Sequence, residues 1–312
     1  MYSLGTIQRE LQNQFRGATT IKRIQQRAKT DPSPRENIHL FTYPRGGSTA
    51  LAEVISRNQN CPIVWEPFFK GRKPFKEFDH RELWGWKEYI SADSESATID
   101  EYFKEISDRT FLHPRFFTGQ SIKGLSAGGP LVYKYCFANY MAPYLMQKFN
   151  IKAVFLDRHI GQIIASRKKY GGFIKADATY SIDTAQTKNS NQLFHWNSDM
   201  RSKTIKSSVG VHIWNYCLSK RLIDQIDSPH VLRLDYDDMI LNPKKVSEQL
   251  NGFIGTTIQS SDFKESSRTT VEQIQIDNSQ LNKWKNRLTK DEITEMKKIV
   301  WDVFGFHSIP LD

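Results

Sequence analysis

Residues 42–49 read Thr-Tyr-Pro-Arg-Gly-Gly-Ser-Thr, a combination able to hold an anion. A glycine turn between a strand and a helix lets successive backbone N–H groups point at one ligand, and the helix N-terminus adds its partial positive charge. Arg45 supplies a fixed cation, Gly46 and Gly47 supply the turn, and Ser48 and Thr49 offer two hydroxyl donors. The loop lacks the G-x-x-x-x-G-K-[ST] spacing of a Walker A motif, which argues against a metal-nucleotide triphosphatase. The plainer reading is a bare glycine turn that opens a helix.

A second segment bears on that choice. The apolar run 151–156 ends in Asp157-Arg158-His159, and Ser166 follows Arg158 by eight positions. An arginine at a strand's carboxyl end and a serine about two turns into the next helix can converge on one phosphate. Alone, Arg158 reads as a surface charge. Two anion sites on two strand–helix turns suit a nucleotide that carries phosphate at both ends.

The elements that must position these residues are short and apolar. Ile38–Tyr43 reads as a buried strand, broken by Pro44-Arg45-Gly46-Gly47, and Ser48 opens a helix with Ala50, Leu51, Val54 and Ile55 on one face. Further strands are expected at 131–135, 151–156 and 231–234, with a helix at about 161–170. Asn242 and Pro243 match an N-cap and first helical position, and Gly255 suits the stop. Thr289 and Glu292 match a capping box, and Gly305 ends the helix that follows. Residues 91–100 read as a polar loop. Short strands alternating with helices predict a three-layer α/β fold around a central, mostly parallel sheet.

Composition limits what such a fold can be. At 312 residues and 38% hydrophobic, the chain is long enough to bury a large core. No window approaches the run of about 18 apolar residues that a transmembrane helix needs. The net charge of +10 favours anionic partners without choosing among them. Cys61, Cys136 and Cys217 are odd in number and widely spaced, which argues against a disulfide framework or a zinc site and points to a reducing, cytoplasmic location. Residues 1–35 form a basic arm ahead of a single domain, 36–312, with a polar insertion at about 175–208. In the arm, Leu4, Ile7, Leu11 and Phe15 share a helical stripe, and Arg9, Arg16, Lys22, Arg23, Arg27 and Lys29 stand against the single acid Glu10. An organelle-targeting or membrane-surface helix and an arm packed on the domain both fit.

The two anion-binding segments resemble those of the sulfotransferase family that uses 3′-phosphoadenosine 5′-phosphosulfate (PAPS). T-Y-P-R-G-G-S-T is similar to its 5′-phosphosulfate loop, and F-L-D-R-H-I-G-Q-I-I-A-S-R to its 3′-phosphate motif. Supporting likenesses are V-L-R-L-D-Y-D-D-M-I-L-N-P at 231–243 and L-N-K-W-K-N-R-L-T at 281–289. The resemblance implies the P-loop-NTPase-like architecture, PAPS as co-substrate with 3′,5′-ADP as product, and transfer without a metal. It implies that Arg45, Gly46, Gly47, Ser48 and Thr49 hold the 5′ end and that Arg158 and Ser166 hold the 3′-phosphate. Trp284 or Lys285 would close over the nucleotide. Two departures stand out. His159-Ile160 replace the usual Asn-Pro or Asp-Pro, and Lys134-Tyr135-Cys136 lacks the catalytic His that many cytosolic members carry on a central strand.

The base must then come from elsewhere. Carbohydrate and trehalose-type members have a Glu near the position of Glu66, in V-W-E-P-F-F. Trp65, Pro67 and Phe68 would partly desolvate that carboxylate and make it a better proton acceptor. The plainer reading is a Glu paired with a nearby Arg or Lys, and His113 is the second choice for the base. Lys134 would add a cation beside the leaving oxygen, or be an ordinary strand-end lysine. The implied acceptor is a carbohydrate or glycolipid hydroxyl. Trp65, Phe68, Phe69, Trp84, Trp86 and Trp196 would stack on sugar rings or serve as core. Nucleic acid is not expected as a partner, and a peripheral membrane contact remains open. Two rivals are a non-catalytic polyanion-binding protein and a nucleotide-dependent small-molecule kinase.

Overall fold

The computed structural model describes residues 18–30, 36–68, 89–117, 125, 129–169, 203–264 and 281–311. The 4–15 stripe, Phe69, Trp84, Trp86, Trp196 and the greater part of the 175–208 insertion lie outside the described residues.

Among the described residues, five short strands build the sheet: β1 (Ile38–Thr42), β2 (Ile63–Trp65), β3 (Val132–Tyr135), β4 (Ala153–Asp157) and β5 (Val231–Asp235). Their order is β2-β3-β1-β4-β5, and every pairing is parallel. All five residues of β1 are buried, so I-H-L-F-T does not alternate apolar with exposed polar residues as a half-buried strand would.

Both faces are covered. Ile38 and Leu40 of β1, with Val132, Val154 and Leu156, pack under α2 (Ser48–Asn58) and α8 (Pro243–Ile254). Phe41, Tyr133, Tyr135 and Phe155 face the other way, toward α3 (Ala97–Ser107), α4 (Ala142–Phe149) and α1, a helix over 18–30. From α1, Ile21 and Ile24 reach this core, while Lys22, Arg23, Arg27 and Lys29 stay exposed. A third apolar cluster joins α5 (Ile160–Lys169), α6 (Ser208–Asp224) and α9 (Lys290–Lys297), with Trp214, Met296 and Phe304 at its centre. The architecture is therefore the expected three-layer α/β fold, with a wholly parallel sheet.

Three expectations need correction. Residues 97–100 are the first turn of α3, not loop. The three-residue strand β2 is too short to show a period in the sequence and was not expected. Asn242 stands at the N-cap of α8, but its side chain does not cap; it bonds instead to Asp238 of α7 (Tyr236–Leu241) at 2.8 Å. The Thr289–Glu292 capping box and the left-handed stop at Gly255 are present.

Topology places the site. The chain leaves β1 toward β2 and leaves β4 toward β5, so adjacent strands send their connections in opposite directions. Ligands of open α/β sheets bind in the crevice that this reversal opens beyond the strands' carboxyl ends. The Arg45 loop follows β1 and Arg158 follows β4, so both flank that crevice.

Candidate functional site

The loop after β1 is a tight turn closed by Gly46 N–H donating to Tyr43 O at 2.8 Å. A Cβ on Gly46 would lie 2.1 Å from Thr42 Oγ1 and 2.8 Å from Tyr43 O, so only glycine fits. Arg45 and Gly47 are left-handed, with φ of 74° and 94°. The first bond of α2 back to the loop runs from Ala50 N–H to Gly47 O at 3.1 Å. The amides of Gly47, Ser48 and Thr49 precede it, so the helix makes no use of them and they are free to meet an anion.

Arg158 turns into this loop rather than out to solvent. Its Nη1 donates to the Arg45 carbonyl at 3.0 Å, and its Nε donates to Gln162 Oε1 at 2.9 Å. Its guanidinium lies 3.9 Å from the ring centre of Tyr236. The same ring packs on Gly47, where a Cβ would come within 2.3 Å of it. Tyr236 thus touches both the glycine turn and the arginine. Burial, reinforced by the Arg45 cation and opposed by Tyr236 and Asp237, lowers the Arg158 pKa, yet an arginine so placed keeps its charge. Arg45 reaches across as well, its Nε donating to Ser166 Oγ at 3.1 Å. Arg45, Arg158 and Ser166, inferred from separate segments, therefore share one crevice.

Glu66 and Lys134 also meet. Lys134 Nζ lies 2.6 Å from Glu66 Oε1, with both side chains 7% exposed. Cys136 N–H donates to Glu66 Oε2 at 2.7 Å, and Lys134 Nζ donates to Cys136 Sγ at 3.0 Å. The Cys136 sulfur in turn lies 3.5 Å from Ser48 Oγ, which ties this cluster to the phosphate loop. The Glu66 carboxylate is thus held by a cation and a backbone donor. Glu66 reaches this place through a left-handed backbone, φ 47°, while its N–H continues the ladder to Lys134 O at 2.9 Å. Such strain in a non-glycine residue persists only where its surroundings demand it. Burial works against the Lys134 ammonium, but the Cys136 sulfur and the Glu66 carboxylate outweigh it and raise its pKa above the usual lysine value. Burial, aided by Glu66, pushes the Cys136 thiol up to about 11, so it is a neutral acceptor at pH 7.

Trp284 is buried in the third cluster, stacked on His159 with ring centres 4.9 Å apart, and packed where a Gly161 Cβ would stand. Lys285 is exposed, with Nζ 5.8 Å from the Trp284 ring. His113 precedes a short 3₁₀ turn and rests against Phe116 at 6.2 Å. Phe68 is core, and Trp65 lies beside the Lys134 ammonium at 5.0 Å. Tyr236, Gln162 and Asp237 were given no role from the sequence. Gln162 was detectable, since it stands four residues after Arg158.

A glycine turn and an arginine from the neighbouring strand meet at the reversal point of a parallel sheet, where open α/β proteins bind their ligands. Residues 35–301 match the model of the sulfotransferase domain, and the chain belongs to that family. It is an enzyme of sulfuryl transfer that takes PAPS as its donor and leaves 3′,5′-ADP. Among curated protein sequences none matches the chain. Of solved structures, the sulfotransferase domain of the curacin biosynthetic pathway is 15% identical, with a TM-score of 0.46, covering 86% of this chain and 97% of its own. The domain from the Synechococcus PCC 7002 olefin synthase is 13% identical, with a TM-score of 0.42, covering 87% and 96%. Mouse sulfotransferase SULT7A1 complexed with PAP is 13% identical, with a TM-score of 0.41, covering 90% of each chain. Among the described residues, no helix is long and apolar enough to cross a membrane.

Proposed function

We propose that the enzyme moves the sulfuryl group of PAPS in line to a hydroxyl of a carbohydrate or glycolipid, with Glu66 accepting the hydroxyl proton. The observation that carries the donor site is the convergence of Arg158 on the Arg45 loop, Nη1 to carbonyl at 3.0 Å. The loop amides, Arg45, Ser48 and Thr49 hold the 5′-phosphosulfate, and Arg158 with Ser166 holds the 3′-phosphate. In the transfer, the acceptor oxygen forms its bond to sulfur as the bridging sulfur–oxygen bond breaks toward the 5′-phosphate. The charge that develops on that bridging oxygen meets donors already in place. By analogy with phosphoryl transfer, positioning and charge stabilisation do most of the catalysis.

Two counts of donors and acceptors support the roles of the buried pair. An ammonium has three N–H groups, and Lys134 uses one on Glu66 and one on Cys136, which leaves one for the departing bridging oxygen. Each Glu66 oxygen accepts one bond, to Lys134 or to Cys136 N–H, and keeps a lone pair for a substrate hydroxyl. A carboxylate base in the absence of a histidine on β3 supports the sugar acceptor, as in the carbohydrate and trehalose-type members.

Thermal unfolding with 3′,5′-ADP, 5′-AMP, ATP and an oligonucleotide tests the donor site. A hundredfold excess of 3′,5′-ADP over its Kd should stabilise by about 2.7 kcal/mol and raise Tm by several degrees. Arg158→Ala should weaken that binding by about 2–4 kcal/mol. Equal stabilisation by ATP, or by the oligonucleotide alone, would overturn the assignment. Labelled PAPS offered with a panel of sugars and glycolipids tests the acceptor.

A further inference from the structure

We propose that Gln162 and Asp237 set the aim of the Arg158 guanidinium and so determine how strongly the site selects a 3′-phosphate. The proposal rests on the donor site assigned above. Gln162 lies on α5, 6% exposed, one turn beyond Arg158. Its Oε1 accepts from Arg158 Nε at 2.9 Å, and its Nε2 donates to Asp237 Oδ1 at 2.9 Å and Oδ2 at 3.1 Å. A guanidinium only donates and an ionised carboxylate only accepts, so the amide has one orientation that satisfies both. The carboxylate stands in the first turn of α7, beside the Tyr236 ring on which the guanidinium rests.

The chemistry of the relay explains its use. A guanidinium carries five N–H groups. Nε goes to Gln162 and one Nη1 hydrogen goes to the Arg45 carbonyl, which leaves one hydrogen on Nη1 and two on Nη2 for an anion. A carboxylate touching Arg158 directly would take the fork bidentately and compete with phosphate for it. A neutral amide between them fixes the plane of the fork, and Asp237 orients the amide without cancelling the arginine's charge. Gln162 and Asp237 are positioning residues, acting through Arg158.

The test compares Gln162→Met, Asp237→Ala and the double variant by calorimetric binding of 3′,5′-ADP and of 5′-AMP, alongside donor KM and kcat. Each single variant should lose about tenfold in affinity for 3′,5′-ADP and less than twofold for 5′-AMP. Donor KM should rise while kcat at saturating donor stays within twofold. The double variant should lose no more than either single, because both act through one relay. Asp237→Asn, which still offers an oxygen to the amide, should retain most of the selectivity. An unchanged ratio in the singles would overturn the proposal, and so would parallel weakening of both nucleotides, the mark of a merely structural role. Should Gln162→Met not fold, Asp237→Ala and Asp237→Asn decide the matter by the same ratio. A wild-type protein that binds both nucleotides equally would instead refute the donor site itself.

Discussion

Replacing Lys134 by Met removes the ammonium while keeping most of the aliphatic stem, so the cost reports on charge more than on packing. In the native protein that ammonium lies 2.6 Å from Glu66, and each side chain is 7% exposed. Without it the carboxylate keeps only the Cys136 N–H, at 2.7 Å, in a place with little water. Breaking one partner out of such a buried pair costs about 3–5 kcal/mol. Glu66→Gln should cost about 3 kcal/mol, since one amide oxygen cannot serve both the ammonium and the Cys136 N–H, and the NH₂ group is left facing a donor. The double variant leaves no uncompensated charge, so its cost should fall short of the sum of the singles by about 2–3 kcal/mol. Urea unfolding of the four proteins at pH 7 measures this cycle. Because the folded pKa of Lys134 lies above its unfolded value of about 10.4, the ammonium's contribution is fully present at pH 7 and is lost as pH rises through the folded value. Additive singles, or a Lys134→Met protein within about 1 kcal/mol of wild type, would refute a dehydrated pair and remove the geometric support for Glu66 as base. Turnover adds a second reading. Glu66→Gln within the Lys134→Met background should still lower kcat if the carboxylate takes the proton.

Two further perturbations follow from the same geometry. Gly47→Ala places a methyl 2.3 Å from the Tyr236 ring at a φ of 94°, so it should destabilise the protein by about 1–3 kcal/mol and abolish the Tm rise with 3′,5′-ADP. A normal ligand shift in that variant would show that the close Gly47–Tyr236 packing is not needed to hold the nucleotide. Burial lowers the His39 pKa to about 3, against about 6.5 when unfolded. Its contribution is therefore present above pH 6.5 and lost as pH falls, by about 2–3 kcal/mol between pH 6.5 and 4.5. Urea midpoints across that range should fall less steeply in His39→Phe, which keeps a ring against Tyr133 and Tyr135.

Much of this protein is determined by the order of its residues alone. The mostly apolar run Ile38–Tyr43 before Pro44 reads as a buried strand, and Gly46-Gly47 before Ser48 read as a turn into a helix. Arg158 and Ser166 declare themselves by standing at a strand end and about two turns into the next helix. These are local constraints, legible wherever backbone sterics and periodicity act over a few residues. Tertiary structure alone decided that Glu66 and Lys134, 68 positions apart, form one ion pair. It alone decided that Tyr236 packs on both Gly47 and Arg158, and that Gln162 connects Arg158 to Asp237, 75 positions from the amide. Such contacts depend on strand order, and in a parallel sheet that order follows from which crossovers pack best, a global balance of burial that no short stretch of sequence encodes.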